Sequence, residues 1–272
     1  MLMVMELGLL IELRLIDKPL TRFATLAAMG YSGLHVHFPE GCDKRLARAV
    51  ASACAANGLS LFAVSGYANP LRPDEAPMGV NLAGLQRIVE LLPLLGTRTV
   101  VSWSGTYSAE LFSAHPDNHS PAAWESLRRS VDQLLPTLDQ AEASLLLEPH
   151  MVHVLGNPAR LAAFCAEVSS PYLGLVLDPA NLLAPQAAGQ DSAAISALVD
   201  QLAPYTRLVH LRDLRLADSK LDPNGGGANL NYPALLAALV GAGVSAPLVV
   251  KQVTLQQARA ARAFVVAANS LT

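Results

Sequence analysis

Four short apolar runs in the second half of the chain each end on a residue capable of chemistry: Ser144 to Glu148, Leu173 to Asp178, Arg207 to His210 and Pro247 to Lys251. Runs this short and apolar read as buried strands. A polar group at the C-terminal end of a parallel strand sits where barrel enzymes gather their active sites. Glu148, Asp178 and His210 are spaced by 30 and 32 residues. That is the length of one strand–helix–strand step, so consecutive strands would bring all three to one rim. Two carboxylates and an imidazole offer oxygen and nitrogen donors suited to Mn, Mg, Co or Zn. Any one of them could instead be a strand-end group bonded to loop backbone, but three in series favour a joint site.

Lys251 follows 41 residues after His210 and is one of 4 lysines against 15 arginines. Lysine is seldom buried without a partner. Either it snorkels to solvent or it is a cation facing Glu148 and Asp178. His35 and His37 stand two apart and so share one face of an earlier strand. With Glu40 they could reach the same pocket, as substrate contacts or a second metal pair, or they could serve loop hydrogen bonding. Trp103 ends another strand, where an aromatic either stacks on a ligand or fills the barrel. The run Gly225-Gly226-Gly227 offers backbone amides to a phosphate, with Gly226 at its centre, or is simply a flexible loop.

The elements that would position these residues alternate along the whole chain. Strands are expected over Met5 to Glu12, Gly33 to His37, Leu59 to Ser65 and Thr99 to Trp103, followed by the four runs above. Helices are expected over Pro19 to Met29, Asp43 to Asn57, Asn81 to Leu95, Pro121 to Ala143, Pro158 to Val168, Ser192 to Leu202, Tyr232 to Val240 and Gln256 to Ala268. Asn81 is a helix cap and Gly30, Gly58 and Gly96 are helix stops; Pro136 should bend the fourth helix. Strands alternating with helices pair in parallel through right-handed crossovers. Eight such units in 272 residues predict an α/β fold, a (β/α)8 barrel forming one domain over residues 1–272. Three long irregular stretches, 66–78, 104–120 and 213–231, all follow strands and belong to the face that carries the site.

Composition narrows the classes. A net charge of -3 gives no basic footprint for nucleic acid. Three cysteines of unpaired spacing read as free thiols in a reducing compartment. The apolar start carries Glu6, Glu12 and Arg14 and lacks signal-peptide organisation. No apolar run reaches membrane-spanning length. The expectation is a cytoplasmic protein with neither a nucleic acid nor a membrane as partner.

At these residues the chain resembles the sugar phosphate isomerase/epimerase family, the xylose-isomerase-like barrels that include the endonuclease IV branch. The resemblance covers nearly the whole chain. Gly30-Tyr31-Ser32-Gly33 resembles the family's entry to its second strand, and Leu94 to Val101 its passage into the fourth. Leu147-Glu148-Pro149-His150 and Leu177-Asp178-Pro179-Ala180-Asn181 resemble its acidic strand ends. His210-Leu211-Arg212-Asp213 resembles its His-x-Lys-Asp motif, with Arg212 in place of Lys. Each motif alone is weak; their order and spacing are specific for the superfamily but not for a substrate. The resemblance implies a metal held by Glu148, Asp178 and His210, substrate contacts from His150, Asn181 and Arg212, and a sugar-like small molecule as partner. It also implies homo-oligomers.

One departure decides the expectation. Where the family carries a second metal-binding, proton-handling glutamate, this chain has Lys251. A cation a few ångströms from a metal position costs on the order of several kcal/mol at intermediate dielectric. The metal should therefore bind weakly or not at all, and the ammonium could take its place. Three functions follow. The first is an isomerase or epimerase for a sugar, sugar phosphate or polyol-derived carbonyl compound, with Glu148 as general base and Lys251 or a weakly held metal on the oxyanion. The second is a non-catalytic sugar-binding barrel. The third is Schiff-base lyase or aldolase chemistry at Lys251. Asn181 stands where the endonuclease branch carries a histidine, and with no basic groove, DNA repair is disfavoured.

Overall fold

The computed structural model describes residues 6–17, 19–183, 191–212 and 230–269. Eight strands, β1 (Leu7–Glu12), β2 (Gly33–His37), β3 (Ser60–Ser65), β4 (Thr99–Trp103), β5 (Ser144–Glu148), β6 (Leu173–Leu177), β7 (Thr206–Leu211) and β8 (Leu248–Val250), pair in sequence order and close into a barrel. All eight pairings are parallel, with β1 joined to β8 through Gly8 and Val249. Helices α1 (Pro19–Ala28), α2 (Lys44–Ala56), α3 (Leu82–Leu95), α4 (Pro121–Gln140), α5 (Pro158–Val168), α6 (Pro179–Leu183), α7 (Ser192–Leu202), α8 (Tyr232–Gly241) and α9 (Leu255–Asn269) connect or follow them. This is the expected (β/α)8 barrel. Among the described residues no helix is long and apolar enough to cross a membrane.

Local chemistry sets the boundaries. Asp43, Asn81, Ser120, Asn157, Asp191 and Asn231 each accept a hydrogen bond from a first-turn backbone N–H, which satisfies a donor the helix cannot. Gly96 closes α3 at φ 77, a left-handed cap that glycine adopts without strain. Helix α4 stops at Gln140, three residues short of the expected Ala143, because Glu142 turns to φ 47. It runs as helix through Pro136. The short α6 directly after Asp178 was not anticipated. Met5 and the Gly225–Gly227 run, with Gly226, lie outside the described residues.

The inside of the barrel explains how the site is built. Val101, Leu146, Val176, Leu208 and Val249 form one apolar cluster inside the barrel. Successive inward side chains on a strand are two residues apart. The next inward positions are Trp103, Glu148, Asp178, His210 and Lys251. An apolar layer thus carries a polar layer directly above it, at the C-terminal rim. On β2 the inward positions are His35 and His37, and the β2–β3 register shifts between Leu34 and His35. The floor is filled by Phe62, whose ring lies where a Cβ on Gly33 would stand, 2.3 Å away; only glycine leaves that room.

Above the rim, the loops are laced by buried amides. Asn118 donates to Thr106 Oγ1 (2.8 Å) and to the Val152 carbonyl (2.6 Å), and accepts from the Tyr107 N–H (2.8 Å). Asn69 donates to the Thr106 carbonyl (2.8 Å) and accepts from the Thr106 N–H (3.1 Å). These bonds tie the loops after β3, β4 and β5 together. Asn118→Ala should strand those partners and cost about 1–3 kcal/mol, lowering the midpoint of a urea unfolding curve without changing its slope. An unchanged midpoint would show that the loops are not held this way.

Candidate active site

Strands β5 to β8 deliver Glu148, Asp178, His210 and Lys251 to one point, all of them buried. The Lys251 ammonium donates to Glu148 Oε1 and lies 2.7 Å from Asp178 Oδ2. Tyr67, just past β3, donates its hydroxyl to Glu148 Oε2 at 2.6 Å. Arg212 Nε stands 3.4 Å from Asp178 Oδ1, and the Arg212 guanidinium also donates to the Asn181 side-chain oxygen. Asn181 in turn donates to Asp178 Oδ2 at 3.1 Å and to the Pro149 carbonyl at 2.8 Å. Two carboxylates are therefore matched by two cations inside the protein. That is the arrangement buried charges require.

The pKa directions follow from this arrangement. Burial would raise the Glu148 carboxyl, but Lys251 and then His210 hold it well below the usual carboxylate range. Burial would lower the Lys251 amine, yet Asp178 and Glu148 raise it above its ordinary value. The Tyr67 hydroxyl is pushed up by burial and by Glu148, so it stays protonated and donating.

Glu148, Asp178 and His210 each offer a ligand atom, and the three atoms lie within 4.8 Å of one another. That is a candidate metal set. With Lys251 in place it does not fit a divalent ion. Glu148 Oε1 and Asp178 Oδ2 already share one ammonium, and a dication added beside it is repelled by several kcal/mol even at an effective dielectric of about 20. The imidazole points the same way. His35 Nδ1 is 3.1 Å from His210 Nε2, with the rings stacked at 5.2 Å. His210 Nδ1 faces Glu148 Oε2 at 3.5 Å and Asp178 Oδ2 at 3.9 Å. At those distances the attraction is electrostatic. It favours a proton on Nδ1, where a metal would need a lone pair.

Above this cluster opens a cavity of about 770 Å³, lined by Glu148, Lys251, Asn181, Arg212, His150 and Gln252 on its polar side. The opposite wall is aromatic. Tyr67 stacks on Trp103 at 4.5 Å, His37 packs on Tyr67 at 4.9 Å, and Phe112 lies edge-on to Trp103 at 5.4 Å. Gln252 holds φ 59, an uncommon backbone state for a residue other than glycine and one that concentrates at functional sites.

The structure thus brings together Glu148, Lys251, His37, Trp103, His150, Asn181 and Arg212 as lining residues. Asp178 and His210 are fully buried and are not among them. His35 does not line the cavity; it is fully buried and braces His210. Glu40 lies elsewhere, in a separate surface cleft beside Asp43 and Arg87. Tyr67, Phe112 and Gln252 were not foreseen. For Tyr67 a signal existed: Ala63, Ser65 and Tyr67 continue the period of two beyond the strand.

Comparison with solved structures gives the same architecture. A D-psicose 3-epimerase determined in the presence of D-fructose superposes with TM-score 0.73 at 14% identity, covering 96% of this chain and 98% of that one. A 3-keto-D-glucoside 4-epimerase from E. coli gives 0.70 at 18% identity over 97% and 99% of the two chains. A xylose isomerase-like TIM barrel protein from Mycobacterium smegmatis in complex with magnesium gives 0.64 at 18% identity over 92% and 88%. At such identities the likeness establishes the fold. No curated protein matches the sequence. The sequence model of one family spans residues 23–265, and on that match, with the closed eight-stranded barrel beneath it, the chain belongs to the xylose isomerase-like TIM barrel family.

Proposed function

We propose that this protein is a sugar isomerase or epimerase that uses the Lys251 ammonium where its relatives use a divalent metal. The observation that carries the reading is the Lys251 bridge between Glu148 and Asp178 at the floor of a cavity with ample room for a small polyol. The neighbours named as sugar epimerases support a sugar as substrate. Family resemblance and the Glu148, Asp178 and His210 set support a metal such as Mn, Mg, Co or Zn in relatives. Here the charge arrangement supports none, or one held weakly.

In this scheme the substrate carbonyl enters against Lys251, and the ammonium stabilises the oxyanion as it forms. As Lys251 turns from Glu148 Oε1 to the substrate oxygen, that carboxylate oxygen regains a lone pair and its basicity. It takes the proton alpha to the carbonyl and leaves an enediolate. Tyr67, bonded to the other oxygen, keeps the carboxylate aimed. Asp178 and Arg212 stay paired beneath. The aromatic wall of Tyr67 and Trp103 covers the less polar face of the sugar and excludes water.

A second reading is a barrel that binds a sugar without converting it. It is favoured by the engagement of both Glu148 oxygens, with Lys251 and with Tyr67. Schiff-base chemistry at Lys251 is opposed by its raised pKa, because a protonated amine is not a nucleophile.

Two measurements test these statements. Glu148→Gln should lower turnover of a cognate ketose by about 10²–10⁴-fold with the fold intact, followed by NMR detection of solvent deuterium at the substrate carbon. Equal turnover would remove Glu148 from the chemistry, and exchange at a ligand carbon would dismiss the binding-only reading. Elemental mass spectrometry should find substoichiometric metal after loading with excess Mn or Zn, and Lys251→Glu should restore stoichiometric binding. A tightly held metal in the unsubstituted chain would overturn the role given to the ammonium.

A further inference from the structure

His37 is a wall residue whose chemistry the scheme above does not use. It ends β2, lines the cavity and is 6% exposed. Its ring is held from two sides. Nδ1 lies 3.2 Å from the Ser65 backbone carbonyl and 3.3 Å from Ser65 Oγ, and the Tyr67 ring packs against it. A carbonyl oxygen can only accept, and on that ground we assign the hydrogen to Nδ1 as donor. In a neutral imidazole this leaves Nε2 with a bare lone pair. Among the described residues nothing bonds Nε2. Burial, the largest influence, holds the ring's pKa below its ordinary value against the opposing pull of the Ser65 carbonyl, Glu12 and Glu148. Of the carboxylates lining the cavity, Glu148 is held by Lys251 and Tyr67, and Glu12 stands half-exposed beside Arg14 at 3.3 Å.

Inverting a carbon through a planar enediolate takes a proton-transfer group on each face. Glu148 serves one face. Lys251, kept protonated by the carboxylates beside it, is no base for the other. We propose that His37 is the second proton-transfer group of this site, acting through Nε2 on the face of the substrate carbon opposite Glu148. The proposal rests on the sugar epimerase reading and extends it to a catalytic residue three strands around the barrel from Glu148.

For one epimer the C–H bond breaks, its proton passes to Nε2, and its electron pair enters the enediolate, whose oxygen lies on the Lys251 ammonium. The new C–H bond forms on the other face, with a proton that Glu148 takes from water through Oε1 once Lys251 has turned from that oxygen to the substrate. The imidazolium then returns its proton to water, so each turnover takes up one proton and releases one. For the opposite epimer the two groups exchange roles.

His37→Asn tests this, because the asparagine amide keeps a donor for the Ser65 carbonyl while removing Nε2. Full-length protein is incubated with a panel of pentuloses and hexuloses, including D-fructose, in D₂O and followed by NMR. Conversion should fall by about 10²–10⁴-fold, while deuterium still enters the epimer whose proton faces Glu148 and no longer enters the other. Thermal unfolding near that of the parent chain confirms that the variant is folded. Conversion within a few fold of the parent, or equal loss of exchange from both epimers, would overturn the role of His37 alone. No exchange by the parent chain with any sugar would overturn the sugar reading itself and this proposal with it. Independently of any sugar, ¹⁵N spectra should show His37 protonated on Nδ1 and bare on Nε2; the reverse tautomer would contradict the assignment.

Discussion

A single ammonium between two buried carboxylates organises this site. Lys251 reaches the centre of the C-terminal rim from β8, and its charge pairs with both buried acids, Glu148 and Asp178. Removing one partner of such a cluster typically costs about 3–5 kcal/mol, because a charge is left uncompensated in a poorly solvated place. Every other polar contact in the floor is arranged around that bridge. Arg212 and Asn181 occupy Asp178, Tyr67 occupies the outer oxygen of Glu148, and His210 presents an edge to both acids while His35 braces its far side. An added dication would have to enter against a cluster whose charges already cancel.

This arrangement depends on the barrel beneath it. Period-two alternation places an apolar side chain directly below each polar one, so the acids and the lysine stand on a dry layer of Val101, Leu146, Val176, Leu208 and Val249. The layer keeps the local dielectric low, which strengthens each ion pair and makes an unpaired charge costly. The loops then close over the rim through Asn69 and Asn118, so the cavity has a fixed aromatic wall opposite its charged one. Tight charge pairing thus lies below and open, shaped space above, the arrangement that the proposed scheme requires.

Much of this was legible in the sequence, for identifiable reasons. Glu148, Asp178, His210 and Lys251 could be placed because each ends an apolar run, and the run length fixes which side of the sheet the last residue takes. Helices α3 and α5 were legible to their ends because Asn81, Gly96, Asn157 and Pro158 are strong local signals. Helix α4 was overextended because Ala141 and Ala143 are good helix formers, and nothing in their neighbours announced that Glu142 would turn left-handed. His35 and His37 look equivalent two apart on a strand. Only the closed barrel shows that one braces His210 below while the other meets the cavity above. Phe112 and Gln252 act from loops, where no periodicity points inward; Tyr67 continues the period of two just past β3, but its bond to Glu148 joins residues 81 apart in sequence.

The most direct test of the account is the state of the Lys251 side chain itself. In protein labelled with ¹⁵N at lysine, the account predicts a Lys251 NH₃⁺ resonance that is slow to exchange with water, stays protonated well into alkaline pH, and persists when Zn is added in excess. A neutral amine at neutral pH, or displacement of the signal by one equivalent of metal, would contradict the claim that the ammonium is this site's resident cation.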